Sequence, residues 1–256
     1  MRCRKGDVEW NLNHSIELIH QAVGRKVDLI CFPESVLDGY ACGESGHART
    51  VPGKETDAIA KLAASRRVWI MWSLAEKVKN GISNTALLFD REGRIRLCYR
   101  KVHLCLEANE HIAYVSGRKF PVVAVEEIKV GVMICFDRHY PEAARELRLR
   151  GAQLILHPTA TDWFKPNPES INTAMMRTRA YENRCFILSV NQANFGGGSA
   201  LFGPWGEVVA SAGEKEEILY CPVRIDSIYK MPKNVFELMK ARRPDTYHHL
   251  TKACVR

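Results

Sequence analysis

The stretch from Val130 to Glu142, Val-Gly-Val-Met-Ile-Cys-Phe-Asp-Arg-His-Tyr-Pro-Glu, constrains this chain most, because buried sequence gives way to polar sequence at one thiol. Val130, Val132, Met133 and Ile134 form the short apolar, partly β-branched run that a strand buried on both faces requires. Pro141 suits a first helical position through its fixed φ and missing N–H, and Glu142 favours the positive end of the helix dipole. Residues 141–150 therefore read as a helix stopped by Gly151. Strand, turn and helix place Cys135 at a carboxyl end of the sheet, where open α/β folds gather their chemistry. A free cysteine also serves as a small buried hydrophobe, so this stretch alone leaves two roles open.

With 256 residues and 46% hydrophobic content, the chain suits one large domain spanning 1–256 with a substantial core. Nine cysteines, and an amino terminus with no apolar segment for export, imply reduced thiols and a cytoplasmic protein. No Cys-x-x-Cys or His-x-x-x-His pair offers zinc its usual spacing, so no metal or other cofactor is expected. No apolar run approaches a membrane span. The net charge of +8 admits an anionic partner, yet the basic residues are scattered and no nucleic-acid-binding motif accompanies them. Arg145, Arg148 and Arg150 share their helix with Glu142 and Glu146, the pattern of a solvated, partly paired face.

Along the chain, residues 11–23 and 54–67 carry helical spacing, and 27–32 and 68–74 read as strands. Asn80-Gly81 and Asp90-Arg-Glu-Gly93 are turn signals, so 84–89 and 94–99 are expected to pair antiparallel. Residues 104–118 have no clean period and read as a loop. Strands are expected at 122–125, 130–134 and 152–156, the last ending at His157-Pro158. A helix over 169–183, a strand over 185–190, a hairpin over 199–210 and a last strand over 217–223 follow. The tail 228–256 reads as an extension with a short helix near 235–241 that packs on a partner subunit. Strands alternating with helices, together with hairpins, indicate an α/β layered fold with mixed sheets.

Glu34, Lys101 and Cys135 each stand directly after, or within two residues of, an expected strand end, so neighbouring strands would bring them together. A thiol is a weak nucleophile until its thiolate is favoured, and a carboxylate beside an ammonium can take its proton and stabilise the charge. Attack on an amide carbonyl makes an oxyanion, for which the Lys101 ammonium and the Phe136 backbone N–H are two donors. Glu34 could then pass the proton to departing ammonia and later activate water. The set suits amide hydrolysis through a thioester.

Phe32-Pro-Glu34 with Gly39-Tyr40, Tyr99-Arg-Lys101-Val-His-Leu104, and Gly131 to Glu142 resemble the three signatures of the nitrilase, or carbon–nitrogen hydrolase, superfamily, in order. The likeness extends to Arg179-Ala-Tyr-Glu-Asn183, Asn191, the hairpin from Ser199 to Gly206 and Arg242-Arg-Pro-Asp-Thr-Tyr247. It implies an α-β-β-α sandwich that commonly dimerises, with Glu34 as general base, Lys101 as oxyanion-stabilising lysine and Cys135 as nucleophile. The family's second glutamate corresponds best to Glu110, with Glu107 competing. Family chains usually open with a core strand that has no counterpart before Met1, so a first core strand is expected to be missing or replaced, at a loss of stability.

Phe136-Asp137 after the nucleophile resembles the amidase and carbamoylase branches, where nitrile-cleaving members tend to have Trp-Glu. Arg138 resembles the arginine with which N-carbamoyl-amino-acid hydrolases grip the substrate carboxylate, and a guanidinium fork suits that bond; its alternative is a local pair with Asp137 or Glu142. The expected substrate-binding set is Arg138, Phe136, His139, Thr159 and Trp163, with core filling the alternative for Trp163. His103, His139 and His157 also suit structural hydrogen bonding. The expected substrate is an N-carbamoyl amino acid or related ureido acid. N-carbamoylputrescine, which would want acidic partners such as Glu44, Asp162 or Glu169, and ω-amides are alternatives. A non-catalytic scaffold is a further alternative, against which the intact Glu34, Lys101 and Cys135 count.

Overall fold

The computed structural model describes residues 1–162, 170–229 and 238–252. The first sheet has four strands in the order β1 (Leu29–Cys31), β2 (Trp69–Val78), β3 (Gly81–Phe89) and β4 (Ile95–Arg100). β1 runs parallel to β2, and the other pairs are antiparallel. The second sheet is built from β5 (Val122–Val125), β6 (Ile128–Val132), β7 (Leu154–Thr159), β8 (Phe186–Asn191), β9 (Ala200–Phe202) and β10 (Val208–Ser211), in the order β10-β9-β8-β7-β6-β5. β6, β7 and β8 are mutually parallel and their neighbours antiparallel.

Side-chain alternation turns these sheets into four layers. On β2, Trp69 and Met71 face the second sheet, where they meet Val132, Leu154 and Leu156. Ile70, Trp72 and Leu74 point the other way, against Ile19 of α1 (Val8–Ala22) and Ile59 and Ala63 of α2 (Lys54–Arg66). Met133, Ile155 and Ile187 pack against Ala144 and Leu147 of α4 (Pro141–Leu149) and Met176 and Ala180 of α5 (Ile171–Asn183). The architecture is an α-β-β-α sandwich with mixed sheets, as the sequence implies. Local signals set the helix ends: Asp7 accepts from the Trp10 N–H at 3.1 Å, Ser170 from the Thr173 N–H at 3.1 Å, and Pro141 opens α4.

Four expectations need correction. Residues 217–223 form no strand: Cys221, Val223 and Ile225 still alternate inward against the core, but their backbone enters no ladder. The segment 104–118 is not loop throughout, because Glu110–Ala113 forms one helical turn, α3, too short to leave a period. β7 runs through His157-Pro158 to Thr159. Proline is tolerated there because the pairing with β6 stops at Leu156, leaving only β8 alongside. β2 continues past Leu74 to Val78. A short helix, α6 (Asp226–Tyr229), begins the tail; of the helix expected near 235–241, residues 235–237 lie outside the described residues and 238–241 form a turn. Among the described residues, no helix is long and apolar enough to cross a membrane.

Candidate active site

The ends of β1, β4, β6 and β7 converge at one place between the sheets. Glu34 lies three residues beyond β1, Lys101 follows β4 directly, and Cys135 closes the turn between β6 and α4; all three are buried. Lys101 Nζ donates to Glu34 Oε1 at 2.8 Å and to Glu110 Oε1 at 2.9 Å, and lies 2.8 Å from Glu110 Oε2. Glu110, carried on α3, is the glutamate brought to the lysine; Glu107 is exposed. Tyr40 Oη donates to Glu110 Oε1 at 3.0 Å and the Cys105 N–H to its Oε2 at 2.7 Å, so both oxygens of Glu110 are engaged. Glu34 differs, because its Oε2 is buried with no hydrogen-bond partner.

The thiol stands on a strained turn. Cys135 has φ of +42°, a left-handed conformation that side-chain-bearing residues rarely adopt and that recurs where a strand must present a nucleophile. Hydrogen bonds on both sides hold it there. Asp137 Oδ2 accepts from the Ile134 N–H at 2.8 Å and from Tyr99 Oη at 2.5 Å, while its Oδ1 accepts from the His103 N–H at 3.0 Å. His157 Nε2 meets the Cys135 carbonyl oxygen at 3.1 Å and its Nδ1 meets Ser189 Oγ at 2.7 Å. A carbonyl can only accept, so Nε2 carries the proton and Nδ1 accepts from serine. Burial lowers the pKa of His157 to about 3, which keeps it a neutral brace.

Electrostatics poise the three central groups against one another. Burial raises the Glu34 carboxyl above its ordinary range, outweighing the opposing pull of Lys101 and the Lys101 and Asn84 hydrogen bonds. Burial and the Glu34 charge push the Cys135 thiol up; Lys101, Arg138 and Thr159 favour its thiolate. Burial disfavours the Lys101 ammonium, but Glu34, Cys135 and Glu110 together more than compensate and raise its pKa. A thiol, a carboxyl group and an ammonium therefore share one buried site.

Arg138 is 4% exposed and does not form the local pair with Asp137 or Glu142. Its Nε donates to Asn172 Oδ1 of α5 at 2.9 Å and its Nη1 to Cys135 Sγ at 3.4 Å. Thr159, the last residue of β7, is buried beside the thiol and favours the thiolate. Phe136 is half-buried, with ring centroid 4.7 Å from that of the exposed His139. His103 pairs with Asp137 at 2.8 Å and stacks on Tyr140 at 3.8 Å. Trp163 and Glu169 lie outside the described residues, whereas Glu44 and Asp162 are exposed, Glu44 held by Lys5 and His47. Among the described residues, no group of three His, Cys, Asp or Glu side chains is arranged to hold a metal ion.

Sequence reasoning missed Asn84, whose Nδ2 donates to Glu34 Oε1 at 2.8 Å and Glu110 Oε1 at 3.3 Å. The polar triplet Ser83-Asn-Thr85 inside an otherwise apolar strand was its signal. Gln192 was missed too; its Nε2 donates to the Glu34 carbonyl at 2.7 Å and ties the end of the second sheet to Glu34.

Two mixed sheets packed face to face, with a buried carboxylate, ammonium and thiol at their strand ends, define a nitrilase-type hydrolase architecture. The chain belongs to the carbon–nitrogen hydrolase family, matching it over residues 1–233. It is 30% identical to a probable nitrilase of Schizosaccharomyces pombe, the alignment covering 95% of this chain and 93% of that protein. An (R)-stereoselective amidase of a Pseudomonas species is 29% identical over 94% of this chain and 88% of its own length. The crystal structure of a carbon–nitrogen hydrolase from Helicobacter pylori G27 superposes with a TM-score of 0.88 at 25% identity, covering 98% of this chain and 96% of that one.

Proposed function

We propose that this protein is a cysteine-dependent amidohydrolase that cleaves a non-peptide C–N bond in a small, carboxylate-bearing substrate, with N-carbamoyl amino acids the favoured class. The observation that carries the substrate class is Arg138: a buried guanidinium 3.4 Å from the thiol, with no carboxylate partner among the described residues. A buried cation is stable when an anion meets it, and a guanidinium fork meets a carboxylate with two parallel bonds.

In this mechanism Cys135 Sγ attacks the carbamoyl carbon as its proton passes to Glu34 Oε2, the oxygen free to receive it. The Lys101 ammonium and the Phe136 N–H stabilise the oxyanion, and Glu110 and Tyr40 hold the lysine in place. Collapse of the tetrahedral adduct breaks the C–N bond, and ammonia leaves with the proton from Glu34. Glu34 then activates water against the thioester-type intermediate, and the carbamic acid released yields carbon dioxide and the free amino acid. Side chains of this chain handle every proton, so no cofactor is invoked. Phe136, His139, Thr159 and Trp163 are proposed to line the substrate pocket. Action in the cytoplasm as a homodimer or larger homo-oligomer, with the tail at the interface, completes the proposal.

A plain amide acid is the second reading, favoured by the relative named (R)-stereoselective amidase. Ammonia release from N-carbamoyl-D- and L-amino acids, β-ureidopropionate, N-carbamoylputrescine and short amides, with Cys135→Ala as blank, tests both readings. Arg138→Ala should raise KM for the acidic ureido substrates about tenfold or more, since a hydrogen bond to a charged group contributes about 1.5–3 kcal/mol. An unchanged KM would remove the carboxylate clamp. Activity confined to putrescine or neutral amides would overturn the substrate class.

A further inference from the structure

We propose that Asn84 is a positioning residue that makes Glu34, and not Glu110, the base, by binding one oxygen of Glu34 and leaving the other free for the thiol proton. The inference rests on the mechanism above. Asn84 sits on β3, fully buried, opposite Ala75 of β2. It touches both carboxylates of the site and the backbone of the lysine. Its Nδ2 donates to Glu34 Oε1 at 2.8 Å and to Glu110 Oε1 at 3.3 Å, and its backbone carbonyl accepts the Lys101 backbone N–H at 2.9 Å. Both acceptors are carboxylates, so the amide nitrogen must face them.

The donors around the two glutamates are distributed unequally. Lys101 Nζ and Asn84 Nδ2 both reach Glu34 through Oε1, and Oε2 has no partner. Glu110 is bound at Oε1 by Tyr40, Lys101 and Asn84, and at Oε2 by the Cys105 N–H. One carboxylate is therefore saturated and the other keeps an open oxygen. Asn84 Oδ1 is itself buried without a partner. A fold that tolerates an unsatisfied amide oxygen there retains the residue for its two N–H groups, which bridge two anions without adding a third negative charge.

The titratable groups facing Glu34 are Lys101, Glu110, Cys135, Tyr40, Tyr114, Cys42 and Asp38, with Arg138 and His157 behind the thiol. Asn84→Asp preserves shape but turns the donor into a third carboxylate, so Glu34 should hold its proton to higher pH. Asn84→Ser keeps one donor and should have a smaller effect. The readouts are the pH profile of kcat/KM for an ammonia-releasing substrate and the pH profile of Cys135 alkylation by iodoacetamide without substrate, on variants whose thermal midpoint shows them folded. The acid limb should move up by about one pH unit, a tenfold change in proton affinity, in Asn84→Asp and less in Asn84→Ser, with KM changed less than about threefold. Equal losses at every pH, with the limb unmoved, would reduce Asn84 to a packing residue and overturn the proposal. If Asn84→Asp does not fold, Asn84→Ser decides by the same shift. Alkylation needs no amide, so a shifted alkylation profile without turnover of any substrate would uphold Asn84 and count against the amidohydrolase reading alone.

Discussion

His157 illustrates how a residue can support catalysis without touching the reacting atoms. Its neutral ring holds the carbonyl of a residue at φ +42°, and burial lowers its pKa from 6.5 to about 3. Between those values the unfolded chain binds a proton that the folded chain refuses, so stability falls as pH drops through that window. The slope is about 1.4 kcal/mol per pH unit for one proton. His157→Asn should flatten this part of the stability curve between pH 6.5 and 4 relative to the parent. Chemical denaturation at a series of pH values measures it; identical slopes would show that His157 titrates alike in both states. The same variant should slow turnover by loosening the Cys135 turn.

Among the elements, the segment after α3 holds the lysine from behind. Gly117 donates its N–H to the Lys101 carbonyl at 2.8 Å, and a Cβ there would come within 1.9 Å of the Arg100 carbonyl oxygen. Only glycine allows so close an approach. Gly117→Ala must push the two backbones apart, which should cost about 1–3 kcal/mol, and Lys101 should move with its anchor. We expect a lower thermal midpoint together with a kcat loss larger than the KM change. A stability loss with full kcat would show that the lysine is held by its two carboxylates alone.

Across the whole molecule, the site exists because two sheets meet. Glu34, Asn84 and Lys101 belong to the first sheet, Cys135, His157 and Thr159 to the second, and the layer containing Met71, Leu88, Leu97, Val132 and Leu156 sets their separation. Leu156→Ala should cost about 2–5 kcal/mol, as should Ile59→Ala on the inner face of α2 in the outer layer. Only the first change lies between the halves of the site. Leu156→Ala should therefore reduce kcat/KM more than Ile59→Ala at matched stability, measured at a temperature where both are folded. Equal activities would show that sheet separation does not control the thiol–carboxylate geometry.

The sequence by itself determined the elements and the ingredients. The short apolar run on 69–74, the Pro141 start of α4 and the turns at Asn80-Gly81 and Asp90 to Gly93 act within a few residues, so they are legible locally. Glu34, Lys101 and Cys135 were legible for a related reason: each stands where an apolar run ends, and the family signatures surround them. Tertiary structure decided what depends on distant partners. The apolar run within 217–223 suggested a strand, but a ladder needs a neighbouring edge, and none pairs with it among the described residues. Glu110 and Glu107 look alike along the chain, and only the fold brings Glu110 within 2.8 Å of the lysine. Arg138 against Asn172, Asn84 between two carboxylates and His157 beneath the thiol's carbonyl arise where segments 22 to 50 residues apart converge. Such contacts follow from the registry of two packed sheets, which no local pattern of residues encodes.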